Sequence, residues 1–213
     1  MVINTSFYDN FYKIFVKPVK FMWRIKSTGV ENIPEGGCIL ACNHTSLSDV
    51  IVVSAASNRQ VRYMAKKELF KIPLLSQLIK ALGAYPVTRG GADMKSVKQT
   101  ISLIESGELI GMFPQGTRRP KVDPRTTEIK GGVGMFAYHT KSDVLPVFID
   151  NKSRKTKIFR KNEVIFGPVI KYEELGIKGT GRDEYMRASS LVFDRICSLK
   201  YSDSGESEEC TEE

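Results

Sequence analysis

Short apolar runs alternate along this chain with stretches in which apolar residues recur every three or four positions. The runs are CILAC (Cys38 to Cys42), GAYPV (Gly83 to Val87), LIGMF (Leu109 to Phe113), VLPVFI (Val144 to Ile149) and EVIFGPVI (Glu163 to Ile170). Each has the length of a buried strand. Helical periodicity is clearest from Asp93 to Glu105, where Met94, Val97, Ile101 and Ile104 keep one stripe and Gly107 supplies the stop. Further helices are expected at Lys66 to Leu82, Gly132 to Thr140 and Asp183 to Leu199. Strands alternating with helices predict a layered α/β domain whose strand-end loops carry the chemistry.

The two ends of the chain follow other patterns. Between Tyr8 and Arg24 the basic residues Lys13, Lys17, Lys20 and Arg24 share one helical face, while Tyr8, Phe11, Tyr12, Phe15, Val19, Met22 and Trp23 share the other. This is the pattern of an amphipathic helix lying in a membrane interface, and also of a terminal helix packed on the domain with its lysines in water. Pro18 is expected to kink or divide it. From Ser202 to Glu213 the chain holds six acidic residues and no Lys or Arg, the composition of a disordered solvating tail. The expected division is a membrane-associating helical segment at 1–26, one α/β domain at 27–200 and an acidic tail at 201–213.

Composition narrows the function. The 213 residues are 41% hydrophobic, enough to bury one real core. Net charge is +8, and discounting the acidic tail leaves the body at about +14, which suits an anionic partner. Cys38 and Cys42, four apart in one strand, lie about 13 Å from each other and cannot form a disulfide. No spacing of Cys and His suits zinc, so no metal is expected and a reduced intracellular protein is. The first residues lack the pattern of a signal peptide, and no run approaches a bilayer span. A nucleic-acid module would use the charge, but no recognition-helix or stacking-platform pattern accompanies it.

The chain has two histidines, and His44 follows CILAC directly, in NHTSLSD (Asn43 to Asp49). In one regular helix His44 and Asp49 would lie about 140° apart and could not touch. A strand-loop-helix junction brings them together if Ser46 is the N-cap, Asp49 the third helical residue, and the loop folds the imidazole over the carboxylate. Asp49 would then fix the histidine tautomer and stabilise its cation, and His44 could accept a proton from a substrate hydroxyl. Alone, the spacing is a weak signal and fits an ordinary capping loop better. PVTRGG (Pro86 to Gly91) and FPQGTRRP (Phe113 to Pro120) add arginines in glycine turns after two more strands, a usual way to hold a phosphate.

Four blocks in order, NHTSLSD, GAYPVTR, FPQGTRR and VLPV, resemble the four motifs of the glycerolipid acyltransferases, most closely the 1-acylglycerol-3-phosphate (lysophosphatidic acid) acyltransferases. The resemblance covers about residues 27 to 170. It implies a single α/β domain with a twisted, largely parallel mixed sheet flanked by helices. It implies that His44 is the general base and Asp49 its partner, without an enzyme nucleophile. Arg89, Gly116 and Arg118 match the motif residues that hold the acceptor's phosphate. Gln115, Thr117 and Lys130 join them as candidate substrate contacts, although Lys130 is equally well a solvated lysine. The resemblance further implies an acyl-CoA or acyl carrier protein thioester as co-substrate, with no tightly bound cofactor. Its partners are a lipid acceptor in an anionic bilayer and, as a candidate, acyl carrier protein, with no nucleic acid. The place implied is the cytoplasmic face of the cell membrane, peripheral or monotopic.

Two positions depart from the family pattern: Gln115 where the third motif generally has Glu, and Thr88 where the second often has Asp. Gln retains hydrogen-bonding capacity without the charge, which leaves acceptor identity more open than reaction type. Four further readings stand beside acyl transfer: a Cys42 thiol nucleophile activated by His44, a catalytically silent membrane-surface protein, a lysophospholipid hydrolase, and a different glycerol-phosphate acceptor. His139 reads as a packed histidine, and Arg119 and Arg125 as solvated surface or as attraction for a donor phosphate. Leu69, Phe70, Leu74, Leu75, Leu78 and Ile79 suit the wall of an acyl tunnel or simple core packing.

Overall fold

The computed structural model describes residues 16–81, 83–87 and 94–201. Seven strands are present among them: β1 (Ile25–Thr28), β2 (Cys38–Cys42), β3 (Val61–Lys66), β4 (Tyr85–Val87), β5 (Leu109–Met112), β6 (Val144–Asp150) and β7 (Asn162–Phe166). The helices are α1 (Asp49–Ala56), α2 (Pro73–Ala81), α3 (Met94–Glu105), α4 (Gly132–Thr140) and α5 (Arg182–Ser198). The strands form one sheet in the order β1-β7-β6-β2-β5-β3-β4. Every pairing is parallel except β6 with β7. The domain is therefore α/β with a largely parallel mixed sheet.

CILAC lacks polar residues because helices cover both faces of its strand. Ile39 and Ala41 join a cluster with Ile104 of α3, Phe136 of α4 and Val192 of α5. Cys38, Leu40 and Cys42 point the other way, into a cluster with Val52 and Val53 of α1 and with Trp23. All five residues of β2 have no exposed area. At about 25 cal/mol per Å² of apolar surface, such two-sided burial makes this strand the centre of the core.

Two strands escape the sequence pattern. β1 alternates half-buried and exposed residues at the sheet edge, where Ile25 is its single apolar residue. β3 buries Val61 and Tyr63 on one face and sets Arg62 between them. The helix expected over Lys66 to Leu82 is corrected accordingly. Lys66 ends β3, Lys67–Lys71 form a 3-10 turn, and α2 starts at Pro73, which is favoured in a first helical turn because it has no N–H to satisfy there.

The N-terminal expectation also changes. Residues 16–22 are helical, but Trp23 is 9% exposed and, with Val19, packs on the core cluster beside α1. Part of the apolar face expected to meet lipid thus meets protein, while Phe21 is 81% exposed. Tyr8, Phe11, Tyr12, Lys13, Phe15 and the acidic tail lie outside the described residues. Among the described residues no helix is long and apolar enough to cross a membrane.

Three neighbouring parallel strands, β5, β2 and β6, end at the same edge of the sheet. The chain leaves β2 toward β3 on one side, and later crosses from β5 over β2 to β6 on the other. Such a reversal opens a crevice at the carboxyl ends of the strands. The loop bearing His44 leaves β2 there, between the loops that follow β5 and β6.

Candidate active site

The turn after β2 is shaped by Asp49, the first residue of α1 and fully buried. Its Oδ2 accepts hydrogen bonds from the backbone N–H of Thr45 (2.6 Å) and Ser46 (2.8 Å), and lies 2.8 Å from His44 Nδ1. Its Oδ1 accepts from the hydroxyls of Thr45 (3.3 Å) and Thr156. A buried carboxylate is tolerable only with such compensation. The expected capping geometry forms in part. The carboxylate does reach back to the Ser46 N–H, but α1 begins two residues later than predicted, and the Ser46 hydroxyl accepts from Ser48 N (3.3 Å).

With Oδ2 serving as an acceptor, His44 Nδ1 is the donor in this contact, and in the neutral imidazole Nε2 is then the free acceptor. The ring is also held from its flat side. Phe113, just after β5, stacks on the imidazole at 3.9 Å between centroids and 15° between planes. Tyr63 stacks in turn on Phe113, with 6.0 Å between centroids. Close passage of Tyr63 over β5 requires Gly111, where a Cβ would come within 2.2 Å of the tyrosine Cε1. The His44 side chain is 15% exposed, so one edge remains open to a substrate.

Gln115 is 2% exposed and both ends of its amide are engaged within the protein. Oε1 accepts from the His44 backbone N–H at 2.7 Å, and Nε2 donates to Thr127 Oγ1 at 2.8 Å. The Thr127 hydroxyl donates onward to the Pro124 carbonyl at 2.6 Å. An ionised Glu could accept from His44 but could not donate to Thr127, so the amide matches this chain of donors. The loop is tied to His44 a second time where Arg119 N donates to the His44 carbonyl at 2.8 Å.

Gly116, Thr117 and Arg118 follow on the exposed rim. Gly116 takes φ 68, which glycine adopts without strain. Its N–H donates to the Phe113 carbonyl at 2.9 Å. Arg118 makes no ion pair among the described residues. Lys130 runs beside Gly116, and its ammonium pairs with Glu128 at 3.4 Å on the surface. Arg89 and Thr88 lie outside the described residues. The structure thus brings His44, Asp49 and Gln115 into one bonded unit, with Gly116, Thr117, Arg118 and Lys130 along its edge.

Other candidates resolve differently. Burial pushes the Cys42 thiol well up, the neighbouring Asp49 charge adds to this, and Cys42 Sγ faces Asn43 Oδ1 at 3.6 Å. Cys38 is pushed up to about 12, mainly by burial. Neither thiol has the lowered pKa that a nucleophile needs. Arg125 is exposed, pairs with Asp123 at 2.7 Å and lies over the Tyr201 ring at 4.2 Å. His139 stands exposed on α4, edge-on to Tyr138 at 5.3 Å between centroids. On α2 and the turn before it, Leu74 is 83% exposed, while Leu69, Phe70, Leu75 and Ile79 are half-buried and outside both core clusters. The side chain of Leu78 lies outside the described residues. Among the described residues no group of three or more His, Cys, Asp or Glu side chains is placed to hold a metal ion.

Sequence reasoning missed Thr156 and Phe113. Thr156 lies 107 residues from the carboxylate it contacts, so no local pattern signals it. Phe113 reads as the end of a strand, and its place as the first residue of FPQGTRR is the available signal.

Known proteins resemble this chain in sequence and in fold. The family model described as Acyltransferase matches residues 24–150. Over 142 residues the chain is 32% identical to the 1-acyl-sn-glycerol-3-phosphate acyltransferase of Bacillus subtilis, covering 66% of this chain and 69% of that protein. The protein of the same name from Borreliella burgdorferi is 31% identical over 150 residues, covering 67% of this chain and 56% of the relative. In fold, the chain resembles the crystal structure of the 1-acyl-sn-glycerophosphate acyltransferase of Thermotoga maritima, with a TM-score of 0.64 and 21% identity over 91% of this chain and 83% of that one. With a family model covering more than half of its length and the histidine-aspartate loop in place, this chain belongs to the acyltransferase family.

Proposed function

We propose that this protein transfers a fatty acyl group from an acyl thioester to the free hydroxyl of 1-acylglycerol 3-phosphate, giving phosphatidic acid for phospholipid synthesis. The observation that carries this reading is the buried Asp49 carboxylate bonded to His44 Nδ1, which leaves Nε2 as the proton acceptor. The names of the bacterial relatives supply the acceptor.

The acceptor hydroxyl gives its proton to His44 Nε2 as its oxygen attacks the thioester carbonyl. Positive charge then develops on the imidazole beside the Asp49 carboxylate. When the tetrahedral intermediate collapses, the carbon-sulfur bond breaks and the proton passes from Nε2 to the departing thiolate. Phe113, Gln115 and Asp49 fix the ring, so little reorganisation accompanies the transfer. Arg118 on the rim, with Arg89, holds the acceptor's phosphate, and Lys130 adds charge beside Gly116. The donor is acyl-CoA or an acyl carrier protein thioester, and both are anionic carriers suited to the basic body. The acceptor is a bilayer lipid, and segment 1–26 keeps the enzyme at the cytoplasmic membrane surface.

The test incubates wild type and His44→Ala with lysophosphatidic acid in vesicles and a labelled thioester, using CoA and carrier-protein donors separately, and follows free thiol and labelled lipid. Wild type should form phosphatidic acid, and the folded variant should lose at least about two orders of magnitude, the lower bound for a general base. Thiol release without acylated lipid would instead indicate a thioesterase. Neither product with any acceptor would leave a catalytically silent membrane-surface protein.

A further inference from the structure

The loop that leaves β6 reads NKSRKTKIFRK over residues 151–161, with six basic residues and no acidic one. Lys152, Lys155, Lys157 and Arg160 are exposed and make no ion pair among the described residues. At the tip, Ile158 is 43% and Phe159 66% exposed. Single exposed apolar residues are ordinary. Phe159, however, also sits at φ 59, a left-handed conformation that a bulky side chain adopts only under constraint.

The constraint is visible. Phe159 N donates to the Met22 carbonyl at 2.7 Å. The fully buried Asn162 sets Nδ2 against the carbonyls of Trp23 (2.6 Å), Arg160 (2.8 Å) and Lys157 (3.0 Å), which share its two N–H groups. The loop tip is therefore locked beside the end of the N-terminal helix, where Phe21 and Met22 are 81% and 36% exposed. Apolar side chains from two segments share one edge, surrounded by unpaired cations. Three residues before Phe159, the same loop places Thr156 against Asp49.

We propose that the 151–161 loop, with Ile158 and Phe159 at its tip, is a docking element for an anionic bilayer. It seats the His44 edge of the sheet on the surface that holds the lipid acceptor, and to that extent rests on the acyltransfer reading. A bilayer fits better than a soluble polyanion or an acidic protein surface, because it supplies an apolar phase for the two tip residues as well as headgroup charge for the lysines.

The full chain is tested by co-sedimentation with phosphatidylglycerol-containing vesicles and with pure phosphatidylcholine vesicles. Phe159→Gly removes the ring at a position whose φ glycine accepts freely, so the thermal midpoint should stay or rise while binding to anionic vesicles falls about tenfold. Lys155→Gln and Lys157→Gln should each weaken that binding roughly fivefold at low salt. Acyl transfer to a micellar acceptor in detergent should remain at the wild-type rate in all three variants. Unchanged vesicle binding by Phe159→Gly overturns the proposal, as does equal displacement of the protein from vesicles by heparin whether or not the ring is present. Vesicle binding is read without catalysis, so failure of the acyltransfer reading would appear separately.

Discussion

Replacing Asp49 by Asn isolates the charge of the buried carboxylate from its hydrogen bonds. The amide oxygen can take the Oδ2 position and keep the N–H groups of Thr45, Ser46 and the imidazole. The amide nitrogen then meets the hydroxyls of Thr45 and Thr156, which can turn to accept. The loop and the histidine tautomer are thus retained, whereas Asp49→Ala would orphan every one of these donors and confound the result with unfolding. What Asn removes is a negative charge beside the imidazolium of the transition state. Two unit charges about 4 Å apart at an effective dielectric of 20 interact by about 4 kcal/mol, and facing atoms 2.8 Å apart place this pair in that range. At 1.36 kcal/mol per decade, kcat should fall about a thousandfold. The assay is phosphatidic acid formation at saturating acceptor, with KM and the thermal midpoint measured alongside. A folded Asp49→Asn protein that keeps kcat within about threefold of wild type would refute the reasoning.

Three further predictions follow from the surroundings of this pair. Thr156→Val removes a hydroxyl from Asp49 Oδ1 and should cost about 1.5 to 3 kcal/mol of stability by thermal melting, with kcat down about tenfold, KM unchanged and both restored by Thr156→Ser; a change confined to KM would refute its positioning role. Gly111→Ala drives a Cβ into the Tyr63 ring and should destabilise by about 1 to 3 kcal/mol in denaturant titration, an effect that a smaller residue at position 63 should relieve. Asp123 is held below its ordinary value chiefly by its hydrogen bond from the Arg125 side chain. A depressed folded-state pKa gives stability that is present above the unfolded carboxylate value and lost as pH falls through the folded one. The melting temperature of wild type should therefore decline more steeply below about pH 4 than that of Asp123→Asn.

Much of the fold was legible in the sequence because two-sided burial leaves a direct mark. CILAC and VLPVFI read as strands since both faces of β2 and β6 lie under helices or loops, and Gly132 to Thr140 reads as the helix it forms. β3 was not legible because Arg62 and the lysines at its end break the apolar run, although the sheet buries Val61 and Tyr63. The N-terminal helix shows the opposite failure. Its pattern reports an apolar face but not which partner covers it, and Trp23 and Val19 turn toward the protein.

By itself, the sequence determined an α/β layering, the loop that bears His44 and Asp49, and the turn with Gly116 and Arg118 that follows β5. These are local consequences of spacing, since strand burial, capping and turn chemistry act within a few residues. Only the tertiary structure decided what surrounds the pair: Phe113 against the imidazole, Gln115 on the His44 backbone, and Thr156 on the carboxylate. These contacts join positions 69, 71 and 107 apart in sequence. They exist because parallel pairing of β5, β2 and β6 sets three strand ends side by side, a register fixed by the whole sheet and absent from any single segment.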